Sequence, residues 1–144
     1  MGHWAKIDSN NIVQEVIVIK ESELDTGNWG DKSKWIKTSY NTKEGVHYQP
    51  KSEQDFGTES SDQSKALRFR YAGPGFLYDK DEDVFLYPKP YPSWVLNKTD
   101  YQWYAPITQP TMTSEQLEEG GYYNWYEDEY QADNTKGWKY EVPE

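Results

Sequence analysis

Three aspartates in the second half of the chain have a spacing that could bind a metal ion. Asp79, Asp81 and Asp83 stand at alternate positions, as do the first ligands of a calcium-binding loop. The rest of that motif is missing, because Val84 stands where the loop needs glycine and Pro90 stands where it needs a bidentate glutamate. We therefore interpret the run as a solvated acidic turn and predict no metal site.

Residues for covalent or acid–base catalysis are also sparse. His3 and His47 are the only imidazoles, no Gly-x-Ser-x-Gly elbow is present, and the lack of cysteine excludes thiol chemistry. Carboxylates are abundant, with 25 Asp and Glu. Glycoside hydrolysis, however, needs two of them about 5–9.5 Å apart in a cleft, and abundance alone does not indicate that. The sequence predicts a protein that is not an enzyme and that uses no cofactor.

The charge balance excludes several partners. With 25 acidic and 15 basic residues, the net charge is −10, and Arg68 and Arg70 are the only arginines. Nucleic acids require the opposite, a basic surface. The longest apolar run, residues 16–19, is far shorter than the ~20 residues of a membrane span, and no secretory signal opens the sequence. We predict no nucleic-acid or membrane partner and synthesis in the cytoplasm.

The elements that would position any site are β-strands. The 13 Tyr, 7 Trp and 4 Phe make up 17% of the chain, and large rings can build a core where aliphatic residues are few. Residues 4–7 and 12–19 are rich in β-branched residues and flank a turn, which predicts a hairpin. On the second strand, Val13, Glu15, Ile17 and Ile19 should share one face, and because both faces are partly apolar we place this strand inside a sheet.

Three aromatic hairpins follow, as a weak internal repeat in residues 75–87, 94–106 and 122–142. Each is an aromatic strand, a polar turn and a second aromatic strand. Thr113, Gln116 and Gly120 have the spacing of a capped short helix. The prediction is a small all-β single domain of antiparallel hairpins with one short helix. It divides into residues 1–42 (first hairpin and a third strand over 35–40), an exposed polar excursion at 43–66, and the aromatic hairpins at 67–144.

The aromatic residues allow two interpretations, core packing or exposed contact. We favour core packing for most of them. Residues 87–93, here called the proline segment, differ because three prolines in five positions favour an extended, polyproline-like path. Such a segment is either a rigid spacer or an exposed ligand for an aromatic groove. The residues predicted to form an interaction surface are Pro88, Pro90, Tyr91, Pro92, Trp94, Trp103, Tyr104 and Trp125.

Scattered parts of the chain resemble a family of small virion-associated proteins of marine tailed bacteriophages, especially those that infect cyanobacteria. The most specific match is the block Pro88-Lys89-Pro90-Tyr91-Pro92-Ser93-Trp94. Other matching stretches lie at residues 5–18, 35–41, 70–85, 103–116 and 123–127. The stretch between Lys20 and Trp35 is shorter than in that group, and residues 43–65 differ. The resemblance implies a virion component and offers no catalytic residue.

We therefore expect an accessory structural protein of a phage virion, made in the host cytoplasm, that decorates the capsid. Its partners would be other virion proteins or further copies of itself. The alternative is a neck, tail or fibre component that binds a receptor or a host-surface glycan through exposed Trp and Tyr. Two or three coplanar, exposed aromatic rings in a groove would favour that alternative.

Overall fold

The computed structural model describes residues 2–49 and 57–144. The chain forms two compact units, which meet in sequence between Pro88 and Lys89. Within them the strands pair as antiparallel hairpins, which confirms the predicted all-β class. Part of the predicted polar excursion, residues 50–56, lies outside the described residues.

The first unit is built on a three-stranded sheet. Its strands are β1 (Gly2–Ile7), β2 (Val13–Ile19) and β3 (Trp35–Thr38), in the order β2-β1-β3. The first hairpin turns where predicted, because Asp8 Oδ1 accepts hydrogen bonds from the backbone N–H groups of Asn10 (2.8 Å) and Ile12 (3.0 Å). A short aspartate side chain of this kind replaces the partners that backbone groups lose in a turn.

Strand β2 differs from its prediction in two respects. It lies at an edge of the sheet and not inside it. The loop that contains Phe76 covers its N-terminal end, where the Val13 N–H donates to the Phe76 carbonyl (2.8 Å). The register also shifts, since Lys6 pairs with Glu15 but Ile7 pairs with Val13. This β-bulge leaves Gln14 as the extra residue and turns Val13 to the opposite face from Ile17 and Ile19. The predicted shared face was therefore wrong for Val13.

Both faces of the sheet are covered by apolar residues. One buried cluster consists of Ala5, Ile7, Val13, Ala72 and Phe85. The other consists of Trp4, Ile19, Leu24 and Trp35. Neighbouring residues of β1 thus enter different clusters, as the two-residue period of a strand requires.

Smaller elements complete the first unit. They are α1 (Glu21–Leu24), β4 (Thr42–Lys43), β5 (Val46–His47), β6 (Leu77–Asp79) and β7 (Val84–Leu86). The acidic turn between β6 and β7 is held by local contacts. Asp79 Oδ1 accepts from the N–H groups of Asp81 and Glu82, both at 3.0 Å, and Asp83 pairs with Arg68 at 2.8 Å.

Among the described residues of the first unit, one charged side chain is buried. Arg70 is 3% exposed and donates from Nη1 to the Phe85 carbonyl (2.8 Å). Its Nη2 pairs with the Glu44 carboxylate (3.1 Å), and the guanidinium carbon lies 4.2 Å from the centre of the Tyr87 ring. Charge pairing, planar hydrogen bonding and stacking together offset much of the cost of burying this group.

The second unit consists of two hairpins and two short helices. Its elements are β8 (Val95–Asn97), β9 (Gln102–Tyr104), α2 (Ser114–Glu118), β10 (Tyr122–Trp125), α3 (Glu127–Ala132) and β11 (Trp138–Glu141). β8 pairs with β9, and β10 pairs with β11.

The helix content exceeds the prediction. Helix α2 begins with the predicted capping box between Thr113 and Gln116, and Gly120 follows its end with a φ of 70°. Helices α1 and α3 were not predicted, nor was a 3-10 turn at Lys32–Lys34. The described residues therefore contain three short α-helices and one 3-10 helix where one helix was expected. None of the helices in the described part of the chain is long and apolar enough to cross a membrane.

Candidate functional site

The proline segment is exposed but not extended throughout. Pro88, Pro90 and Pro92 are all exposed. The chain then makes a turn in which the Trp94 N–H donates to the Tyr91 carbonyl (3.1 Å), with Pro92 at the second position, where its fixed φ suits a turn. The predicted polyproline-like path is therefore wrong over residues 91–93.

Three of the predicted interaction residues come together in the second unit. Tyr91 lies 5.6 Å from Trp94, and Trp94 lies 6.2 Å from Trp125, measured between ring centres. Trp138 and Tyr130 join them, at 5.1 and 5.5 Å from Trp125. We call these five residues the aromatic cluster. Trp125 is only 4% exposed, so it supports the cluster from inside and does not present a contact surface.

The rings of this cluster do not form a flat platform. The angles between paired ring planes are 44° for Tyr91 with Trp94, 82° for Trp94 with Trp125 and 71° for Trp125 with Trp138. Tilted and edge-to-face arrangements bring the positive ring edge against the negative face, as is usual in cores. The coplanar arrangement that would favour glycan binding is not found among these pairs.

Trp103 and Tyr104 lie on the other hairpin, on strand β9. They project to opposite faces of it, because they are consecutive residues of a strand. Trp103 is half-buried, with Lys89 Nζ 5.4 Å from its ring centre. Tyr104 is 47% exposed and pairs across the hairpin with Val95, which is 59% exposed. This face of the hairpin therefore presents apolar surface to solvent.

One carboxylate fixes the turn of the proline segment. Glu127 accepts hydrogen bonds from Ser93 Oγ (2.6 Å), from the Trp125 indole N–H (3.0 Å) and from Gln131 Nε2 (2.8 Å). Partial burial alone would raise the pKa of this carboxyl, but the hydrogen bonds outweigh it and hold the pKa below its ordinary value. Glu127 thus links the turn of the proline segment to β10 and α3.

A cavity of about 410 Å³ lies beside Trp138. Its walls include Ile107, Pro110, Glu129 and Lys139. The indole N–H of Trp138 donates to the Ile107 carbonyl (2.7 Å), and Glu129 Oε1 pairs with Lys139 Nζ (2.6 Å). An aromatic side chain therefore meets a charged pair at an open cavity.

Sequence reasoning missed the residues that build this cavity. Trp138 belongs to the last predicted aromatic strand, but its partnership with Trp125 depends on the register of β10 and β11. Glu129 lies on α3, in the part of residues 122–142 that the sequence pattern indicated as the polar turn of the third hairpin. The acidic first turn of α3, Glu127 to Glu129, was the available signal, since carboxylates favour helix N-termini.

No protein-family model, curated protein or solved structure matches the chain. The function must therefore be inferred from the fold, the exposed surfaces and the sequence resemblance.

Proposed function

We propose that the chain is an accessory structural protein of a phage virion, made in the host cytoplasm, that binds the capsid surface through its second unit. The observation that supports this most is the exposed apolar surface of that unit. It consists of Pro90 and Pro92 in the proline segment and of the Val95–Tyr104 pair on the β8–β9 hairpin.

These residues have the properties of an interface anchor. Proline has little conformational freedom to lose on binding, so an exposed proline turn makes contacts at low entropic cost. Tyrosine is enriched among the residues that dominate binding energies. The hydrogen bond from Ser93 to Glu127 holds the turn in position before a partner arrives.

The composition of the surface points to protein and not to nucleic acid. The net charge of −10 opposes contact with phosphate groups, whereas a protein lattice can offer complementary apolar or basic patches. The sequence resemblance to virion proteins of marine tailed phages agrees with this. A neck, tail or fibre location would use the same surface and differ in copy number.

The location is tested by quantitative mass spectrometry of gradient-purified particles of the phage that encodes the chain. Copies comparable in number to the major capsid protein are expected for a decoration protein. A small number of copies per particle would overturn the capsid assignment in favour of the neck, tail or fibres. Absence from the particle would overturn the structural role altogether.

The contact surface is tested by rebinding of variants to particles stripped of this protein. Pro90→Ala and Tyr104→Ala should weaken rebinding, Tyr104→Ala by roughly tenfold if it is an anchor. Tyr122→Ala is a matched control, since Tyr122 is 45% exposed in the same unit but on β10. Asp81→Ala, in the solvated acidic turn, is a second control. Equal rebinding of all four variants would contradict the proposal.

The predicted contact of Tyr91 needs a separate measurement, because Tyr91 also packs on Trp94. Tyr91→Ala should weaken rebinding more than Asp81→Ala does. Near-ultraviolet circular dichroism of each variant separates a lost contact from a disturbed aromatic cluster. Full rebinding by a folded Tyr91→Ala protein would remove Tyr91 from the surface.

A further inference from the structure

The cavity beside Trp138 combines features that suit one class of small molecule. Its volume of about 410 Å³ falls in the ~300–1,000 Å³ range of small-molecule sites. Ile107 and Pro110 supply apolar wall, and Glu129 and Lys139 supply hydrogen-bonding groups. We infer that this cavity binds a neutral saccharide, with one sugar ring against the Trp138 indole. This binding is separate from the proposed attachment to the capsid and does not require it.

The indole is held in place before any ligand arrives. Its N–H donates to the Ile107 carbonyl (2.7 Å), and its ring lies 6.3 Å from Trp94 and 5.1 Å from Trp125 between centres. A side chain fixed in this way loses little rotamer freedom when it binds. The C–H groups on one face of a sugar ring are a suitable apolar partner for the negative face of an indole.

The charged pair at the cavity can both accept and donate further hydrogen bonds. Glu129 Oε1 and Lys139 Nζ are 2.6 Å apart, and their side chains remain 38% and 49% exposed. Their contact occupies one carboxylate oxygen and one of three ammonium hydrogens, so Oε2 can still accept and Nζ can still donate. Lys139 is further positioned by the Tyr126 ring, whose centre lies 4.8 Å from Nζ. Two neighbouring sugar hydroxyls offer the matching donor and acceptor, and hydrogen bonds to ionised groups are the stronger kind.

The charges around the cavity balance, which favours a neutral ligand over an acidic one. Glu129 and Lys139 neutralise each other. Lys136 also lines the cavity, and Asp133 precedes it by three residues. Hydrogen bonds from Thr135, and to a smaller extent the charge of Lys136, hold the pKa of Asp133 below its ordinary value, so Asp133 offsets that lysine. Asp133 lies outside the lining, so an anionic sugar would meet at most one uncompensated lysine there, on a chain whose net charge of −10 disfavours acidic ligands.

The test uses the full chain labelled with ¹⁵N and follows the indole N–H signals of its 7 tryptophans by NMR. The probes are maltotriose, cellotriose, mannotriose and chitotriose, with trigalacturonate as the charged comparator. Each is added to about 10 mM, which detects millimolar affinities. At least one neutral trisaccharide should shift the Trp138 signal in a saturable way, and trigalacturonate should bind more weakly. The inference is overturned if no neutral probe shifts that signal, if only other indoles respond, or if trigalacturonate binds more tightly.

A pair of matched substitutions tests the role of the charged pair. Glu129→Gln should weaken binding of the responding trisaccharide roughly fivefold, the upper range for a partly exposed charged contact. Glu118→Gln makes the same chemical change on the exposed surface of α2 and should leave the affinity unchanged. Unchanged indole signals in the sugar-free spectra show that both variants are folded. An equal effect of the two substitutions, or no effect of Glu129→Gln, would overturn the inference.

Discussion

Replacing Gly137 by alanine should strongly destabilise the second unit. Gly137 is buried just before β11 and has a φ of 153°, a conformation that L-residues rarely adopt. A Cβ built on it would overlap the six-membered ring of Trp125, which is 4% exposed. The ring has no free space to move into, because Trp94, Tyr130 and Trp138 surround it.

The expected magnitude has two parts. Overpacking a core by one methyl group costs about 1–3 kcal/mol, and holding alanine in a sparsely populated backbone region costs about 1–3 kcal/mol more. The sum, about 2–6 kcal/mol, is a large share of the ~5–15 kcal/mol that stabilises a typical domain. Guanidinium chloride denaturation followed by tryptophan fluorescence measures the loss of unfolding free energy.

Gly120→Ala is the control for a positive φ without a steric clash. Gly120 has a φ of 70°, and apart from Gly120 itself and its two chain neighbours no atom of the described residues lies within 4 Å of the position that a Cβ would take there. The Gly120→Ala protein should lose about 1 kcal/mol of unfolding free energy. If both variants lose the same free energy, the Trp125 ring does not confine Gly137, and the reasoning about the packed aromatic cluster is wrong.

Two further predictions concern single polar groups. Arg70→Ala removes a guanidinium that is 3% exposed and pairs with Glu44 at 3.1 Å. Urea denaturation should show that this variant loses about 3 kcal/mol of unfolding free energy. The control Lys43→Ala, at an exposed position, should lose under ~0.5 kcal/mol. The hydrogen bond to Glu119, aided by partial burial, raises the pKa of Tyr140 from 10.0 to about 12. The stability that this shift contributes is therefore complete below pH 10 and is lost as the pH rises through 12. NMR titration should show Glu119→Gln returning that pKa toward 10; an unchanged value would contradict this.

The hairpins could be predicted because their signals are local. Turn residues between β-branched or aromatic runs predicted the β1–β2, β6–β7, β8–β9 and β10–β11 hairpins, and the spacing of Thr113 and Gln116 predicted the start of α2. Such patterns depend on neighbours in sequence, so no knowledge of the rest of the fold is needed.

Features that depend on distant pairing could not be predicted. The bulge at Gln14 follows from fitting β2 to β1 while the Phe76 loop covers its end. Without that register, Val13 was assigned to the wrong face and β2 to the interior of a sheet. Helix α3 was not predicted because its residues, Glu127 to Ala132, are polar and acidic like those of an exposed loop.

The residues of the interaction surface were predicted from their types. In the structure some of them are buried and others are exposed. Trp125 and Tyr104 are both large rings on strands, yet one is 4% and the other 47% exposed. The cavity beside Trp138 arises only where β11, α3 and the Ile107 loop meet. Sequence patterns indicate which residues can bind, whereas tertiary contacts decide which of them face solvent.

The two-sided sheet of the first unit has a consequence for the accuracy of folding. Trp4 and Ala5 are consecutive residues of the central strand, and they enter different buried clusters. A pairing error of one residue would place an indole where only a methyl group fits and leave a void on the other side. A mispaired hairpin would pack badly against both buried clusters at once. The same holds when the wrong partner strand belongs to a second chain, as can happen at high concentration during synthesis. A chain with few aliphatic residues can in this way discriminate against wrong partners through the size difference between two adjacent side chains.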